Sequence, residues 1–574
     1  MNLIHKTTRI GCICRIFVLL FIPIALYAED ADTIILTAKE IRETQALKMA
    51  DVLNNVPGIK AGDSSVSIHG SYKVKVFVDG RPINDPTSSY GGINWDIISP
   101  DEVKQIEILR GKGGLRYGQD AAGGVILITT KSLQRQTLNI KTYGGNNDTA
   151  YAYANLQMTT GNWALGITGA AEDTDGYKIN NDKKQRQTGA KIAYIIDDVK
   201  NLSLSADYLE DDRGLSGLPE YPTPFSRKST HTTNLSLQGC YNNLTSTSFF
   251  NDGSNHNTDH SRNLNQKLRV LEWGENLTAT IVTKDWVESI LGGGYRMGKA
   301  NSTSFDNKRE ETYSAFVSQS LKWLKYSFEM TLGLRADINS AFDDAINPEI
   351  KATYKNTHWR ITTAYGRSNN TPSFHQRYNR TSSTLPNPNL SMETSDNYSI
   401  AFFIEPYDFV SGSISLFYNC LSDRITYVTD DYGMGSYQNF NKVTYKGGDL
   451  ALAWRPCKWL NIKSGYTYME AKDKQSGLWI PAKAKHQANL DFYCNPTDML
   501  SIVLSNKYTS KVFRNKNNTK TVPEYSITDL RAEYAFKRFS LFTKINNIFD
   551  KNYYYADGLL APPLSWIVGI NVKI

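Results

Sequence analysis

The sequence predicts an all-β membrane protein, a long series of barrel-forming strands that follows a small, glycine-punctuated α+β region near the N-terminus. Three observations predict it. From about Gln134 onward, segments of roughly ten residues alternate in polarity, and short Pro/Asp/Asn turns take turns with longer polar loops. The chain carries 34 Tyr, 22 Phe and 10 Trp, yet its mean hydropathy is −0.43. That combination arises when only alternate residues meet lipid and aromatic girdles mark both interfaces. Beyond residue 28, no continuous apolar run reaches the length of a spanning helix.

The first 28 residues are different in kind. Lys6, Arg9 and Arg15 precede an apolar stretch, Ile16–Ala28, that is too short to cross a bilayer and ends at Leu-Tyr-Ala before acidic residues. We read 1–28 as a cleaved secretory signal. Its loss removes three basic and no acidic residues, lowering the formal charge from +7 to +4, too little to argue for nucleic acid.

In the next region, Ile106, Ile108, Val125, Leu127 and Thr129 sit at period two within two apolar stretches, the pattern of strands, with glycines between them. The intervening RGKGGLRYG is not a phosphate loop, because it lacks a Gly-Lys-Ser/Thr ending, and Arg116 stands where a dinucleotide fingerprint needs its third glycine. In the C-terminal series, Gly412, Ile414, Leu416 and Tyr418 alternate with Ser411, Ser413, Ser415 and Phe417, and Leu460, Ile462, Tyr466 and Tyr468 alternate with Asn461, Lys463, Gly465 and Thr467. A soluble β-sandwich shares this period, but the strand number implied over about 440 residues exceeds what one sandwich holds.

Four cysteines remain after cleavage, and Cys457 and Cys494 both fall in short turns at the ends of what read as neighbouring antiparallel strands. An oxidising compartment would permit a bond, and cross-strand geometry commonly opposes one. Neither the cysteines nor the eight histidines form a metal-ligand motif. No G-x-S-x-G elbow or His-Glu-x-x-His helix is present, so an enzyme is not expected.

The run Val103–Lys131, VKQIEILRGKGGLRYGQDAAGGVILITTK, resembles the plug-domain signature of the TonB-dependent outer-membrane receptors. Glu107, Arg110, Gly111, Tyr117, Gly118, Gly123, Gly124, Val125, Ile126 and Ile128 fill the motif in order. VSIHG (Val66–Gly70) stands for the family's usual Ile-Arg-Gly strand and VFVDGRPIN (Val76–Asn84) for its Asp-Gly hairpin. The barrel text is similar to the small cobalamin-type members: YGRSNNTPSFHQRY (Tyr365–Tyr378), NPNLSMETSDNY (Asn387–Tyr398) and the Asn-Leu-Phe-Asp-x-x-Tyr signature at Asn547–Tyr553. Met392 replaces a proline, Leu564 and Ser565 stand where an arginine commonly follows, and Ile574 ends the chain in place of an aromatic residue.

The resemblance implies a plug at 29–132 inside the lumen of a 22-stranded antiparallel transmembrane β-barrel at 133–574, sited in the bacterial outer membrane. It also implies import of a scarce metal-bearing small molecule, a cobalamin-like compound or an iron chelate (siderophore), through plug rearrangement driven by the TonB complex, with no covalent cofactor. About 20 residues for each strand with its half-loops, against some 9 to 11 to cross the bilayer, leave outer loops short on average. A non-transporting barrel that kept the plug but lost its coupling peptide is the alternative.

By the same resemblance, Asn84–Trp95 fills the substrate-facing plug loop and Gly62–Ser65 its companion. Tyr90 and Trp95 would stack on a flat ligand, with Ser64, Ser65, Ser88, Ser89 and Asn94 as polar partners; packing of these residues against the wall is the competing expectation. Glu172, Asp173, Asp175 and Asp182 are calcium candidates in an outer loop, although their spacing matches no established calcium loop and solvated charge is the favoured reading. Asp32, Thr33, Ile34, Ile35, Leu36, Thr37 and Ala38 resemble a TonB box, the extended peptide that pairs with an edge strand of TonB. They also fit the plug's first strand, since ILTAKEI and then DVLNNVPG match the family's strand and helix, and we favour the strand.

Overall fold

The computed structural model describes residues 33–133, 136–430, 433–440, 442–556 and 558–574. The signal segment and Asp32 lie outside the described residues.

The N-terminal domain comprises β1 (Thr33–Thr37), α1 (Ala38–Glu43), α2 (Met49–Leu53), β2 (Ile59–Gly62), β3 (Ser65–Ile68), β4 (Val74–Val78), β5 (Arg81–Pro82), β6 (Val103–Arg110), α3 (Gly114–Tyr117) and β7 (Gly124–Thr130). Thr37 starts α1 through a capping box: its Oγ accepts from the Glu40 N–H while the Glu40 carboxylate accepts from the Thr37 N–H at 3.0 Å. The main sheet has the order β1-β6-β7-β4-β5, with β4 parallel to β7 and the remaining pairs antiparallel. The central strand β7 is covered on both faces. Ile126 and Ile128 meet Ile106, Ile108, Val74 and Val76, while Val125 packs with Phe77 and Ala121 on the other side, which is why Val-Ile-Leu-Ile reads as a continuous apolar run. At Gly124, φ is +133° and any Cβ would lie 2.2 Å from the Leu109 carbonyl oxygen, so only glycine fits this crossing.

The rest of the chain forms a closed barrel of 22 antiparallel strands, from Thr137–Gly145 to Ser565–Lys573, whose last strand pairs with its first. Connections at one end span two to five residues, and those at the other reach 22, so the short-turn end faces the periplasm. Ile167, Leu204, Leu291 and Leu416 point outward, whereas Thr232, Asn234, Asn251 and Asn347 are buried in the lumen. Exposed Trp163, Trp286, Trp323 and Trp459 ring the short-turn end, and Tyr313, Tyr398, Tyr418 and Trp566 ring the long-loop end.

The plug meets this polar wall through ion pairs. Lys48 binds Glu172 at 3.0 Å, Lys544 binds Asp51 at 2.7 Å, Arg81 binds Asp207 at 2.5 Å and Lys191 binds Asp79 at 2.8 Å. The expected adjacency of the two cysteines is corrected. The strand Leu460–Asp473 lies between them, Leu460 pairs with both, and both thiols are free. Two strand spacings of about 4.8 Å exceed the reach of a disulfide.

Candidate functional site

Four plug loops form the surface under the outer loops: 62–64, 69–73, 83–94 and 111–123. The Asn84–Asn94 loop is tied from within. Asp85 accepts from the Thr87 N–H at 2.9 Å and its hydroxyl at 2.6 Å, and Ser88 Oγ accepts from the Gly92 N–H at 2.8 Å. The result is a rigid tip that presents Tyr90, 60% exposed, with its hydroxyl 3.3 Å from that of Tyr437. Ser89 accepts from Ser373 of the longest outer loop at 3.2 Å, and Asn94 donates to Thr232 of the wall at 3.5 Å. Ser64 is exposed, and Ser65 opens β3.

Trp95 corrects the expectation of a stacking platform. It is 3% exposed, packed in the plug core with Ile93, Ile97 and Ile98, and its Nε1–H donates to the Ser65 carbonyl at 3.4 Å. The apolar neighbours that follow it in sequence carry the ring inward.

The calcium candidates do not converge. Glu172 points into the lumen between Lys48 and Lys183, at 3.0 and 2.9 Å; Asp173, its neighbour on an extended strand, points outward; Asp182 accepts from Arg227 at 2.7 and 2.8 Å. Among the described residues no group of three or more His, Cys, Asp and Glu side chains could hold a metal ion.

Beside β4 and β5 lies a cavity of about 380 Å³ that begins beneath Ser88 and Thr371–Phe374 and follows the wall toward Gln238, Asn243 and Thr280 near the short turns. Its carboxylates are largely committed: Glu272 to Arg296, Asp337 to Arg335 at 2.8 Å, and Glu310 to Arg377. Lys75 is different. Its ammonium donates to the Tyr117 carbonyl at 3.2 Å, forms no ion pair with any described residue, and lies 5.7 Å from the Phe77 ring centroid. Burial, reinforced by nearby Arg296, lowers its pKa to about 8.

Sequence reasoning missed one plug-to-wall contact of consequence. His69, in the left-handed region at φ 47°, stacks on Phe417 at 3.7 Å and places Nε2 2.7 Å from Asp449, which also accepts from Arg110 at 2.7 Å and Thr467 at 2.8 Å. Arg110 was visible in the motif and His69 in VSIHG, but nothing local marks Asp449 as their partner 339 and 380 residues away.

A 22-stranded barrel filled by its own N-terminal domain, with a rigid aromatic tip under the outer loops, defines a gated receptor of the bacterial outer membrane. The chain belongs to the TonB-dependent receptor family: residues 27–125 match the TonB-dependent receptor plug domain, and residues 124–548 the TonB-dependent receptor-like β-barrel. It is 23% identical over 562 residues to the vitamin B12 transporter BtuB of Photobacterium profundum, covering 90% of this chain and 88% of that one. It is also 23% identical over 647 residues to the probable TonB-dependent siderophore receptor PirA of Acinetobacter baumannii, covering 87% and 84%. Among solved structures, the siderophore receptor PirA from Acinetobacter baumannii superposes with a TM-score of 0.80 at 16% identity, over 95% of this chain and 99% of that one. A variant of the ferric enterobactin receptor from Pseudomonas aeruginosa, in complex with enterobactin, gives 0.78 at 16% identity over the same shares.

Proposed function

We propose that this receptor imports a metal-bearing small molecule, a cobalamin-like compound or an iron chelate, caught at the plug apex and passed down the cavity beside β4 and β5. The observation that carries the reading is the exposed Tyr90 on a loop that is braced by Asp85 and Ser88 and whose flanking residues Ser88 and Gly91 line that cavity. The relatives named for vitamin B12 and siderophores support it over a non-transporting barrel.

β1 is the segment on which TonB would act. It is an edge strand paired only with β6, in register Thr33↔Leu109 to Thr37↔Gln105, so it can leave the sheet without breaking another strand pairing and add to a partner's sheet edge. Calorimetric titration of the purified receptor with cyanocobalamin and with a panel of ferric chelates tests the ligand reading, alongside growth of a deletion strain under cobalamin or iron limitation. Saturable binding of one class with a matching growth defect is expected; no binding and unimpaired growth under both limitations would overturn it.

A further inference from the structure

The lipid-facing wall carries a feature that import of a solute does not need. Just below its outer aromatic girdle lies an external groove of about 460 Å³. Its floor is small, at Ala352 and Thr363, and its flanks are Ile350, Ile400, Leu416 and Tyr398. Strand pairing places its upper edge in one lateral row, Ile350↔Tyr365↔Tyr398↔Tyr418↔Lys446↔Glu470, and the row above runs Arg367↔Asp396↔Cys420↔Thr444↔Lys472. Side chains two residues apart on a strand share a face, so the charged members of these rows overhang the groove on its outward side.

Those charges are unbalanced. Arg367 and Tyr365 both donate to Asp396 at 2.9 Å, while Lys446 and Lys472 share the single carboxylate of Glu470 at 3.7 and 2.8 Å. Lys485, exposed beside them, lies over the rings of Tyr468 and Trp479. Four cations therefore stand with two carboxylates, and the Arg367 and Lys446 side chains are 40% and 54% exposed. Long basic side chains at this depth keep their stems on apolar surface and their heads at the headgroup level, and a basic cluster above an acyl-sized groove is the chemistry that recognises anionic lipid.

We infer that this face binds a phosphorylated membrane lipid, with an acyl chain in the groove between Ile350 and Leu416 and the phosphate held by Lys446 and Lys472 on the two strands next to that of Leu416, while Arg367, three strands from Lys446, adds its charge above the groove. The inference rests on the outer-membrane barrel and not on the identity of the imported ligand.

Native mass spectrometry of the detergent-purified full chain, titrated with phosphatidylglycerol and separately with phosphatidylcholine, tests it. The wild type should retain phosphatidylglycerol at least fivefold better. The triple variant R367Q/K446Q/K472Q should lose that preference at least threefold, and A352F, which fills the groove but leaves the charges, should weaken retention of both lipids. Each variant is first checked for the heat-modifiable band of a folded barrel; if the triple variant fails it, R367Q and K446Q singly carry the same comparison. Equal retention of the two lipids by the wild type, or an unchanged preference in the charge variants, would overturn the inference. Displacement of phosphatidylglycerol by equimolar inorganic phosphate would also overturn it, because the site would then be one for free anions.

Discussion

Replacing Asp449 by asparagine should loosen the plug at its apex. In the wild type a single buried carboxylate faces His69 and Arg110, each at 2.7 Å, and accepts from Thr467 on its other oxygen. Asp449 and the Arg110 side chain are both 5% exposed, and the Arg110 Nε already lacks a hydrogen-bond partner. The substitution would leave the guanidinium without its counter-charge in a desolvated site. Breaking a buried pair by removing one partner costs about 3–5 kcal/mol. Taking the lower figure, with asparagine still able to accept one hydrogen bond, the population in which the 66–70 and 110–113 segments detach from the wall should rise by roughly 150-fold, at about 1.4 kcal/mol per decade. Hydrogen exchange of those amides in the purified receptor reads this directly. The far side of the plug, at Asp79 and Lys191, serves as an internal reference. Apical protection factors within threefold of the wild type, in a variant that keeps its heat-modifiable band, would refute the view that this carboxylate clamps plug to wall.

Three further outcomes are expected. Tyr90→Ala should weaken ligand binding several-fold without altering plug stability, whereas Trp95→Ala should destabilise the plug by about 3–5 kcal/mol, as for other buried aromatics; separate binding and denaturation measurements distinguish the two. Burial, with Asp207 nearby, pushes the Glu102 carboxyl up to about 7 from its ordinary 4.5. Its contribution to stability is thus full below about pH 4.5 and lost as pH rises through 7, a loss of roughly 3 kcal/mol. The denaturant midpoint of the plug should therefore fall between pH 5 and 8 in the wild type and fall less in Glu102→Gln. Finally, Ile35→Pro, which removes a backbone donor from β1 opposite Glu107, should raise protease sensitivity of the plug in the isolated receptor. A variant with normal protease resistance that has lost only crosslinking to TonB would show that β1 contributes nothing to the closed plug.

The sequence alone determined the architecture because its determinants are local and repeated. Period-two alternation assigns Ile414, Leu416 and Tyr418 to lipid and Ser413 and Ser415 to the lumen, since successive side chains on a strand must face opposite ways. Gly124 was legible for a similar reason: a strand crossing with a carbonyl 2.2 Å from the would-be Cβ tolerates one residue type, and that type marks the motif. The tertiary structure decided what depends on pairing between distant segments. Only closure of the barrel brings Asp449 to His69 and Arg110, gives Glu172 two lysine partners, and sets a whole strand between Cys457 and Cys494. The orientation of Trp95 was undetermined as well. An aromatic in a loop reads the same whether it turns to a ligand or to a core, and the choice was made by Ile93, Ile97 and Ile98, whose burial carries the indole with them. Local sequence fixes which face a side chain takes on a strand; what waits on that face is set by chain segments hundreds of residues away, and those are joined by charge and shape without any mark in the text around them.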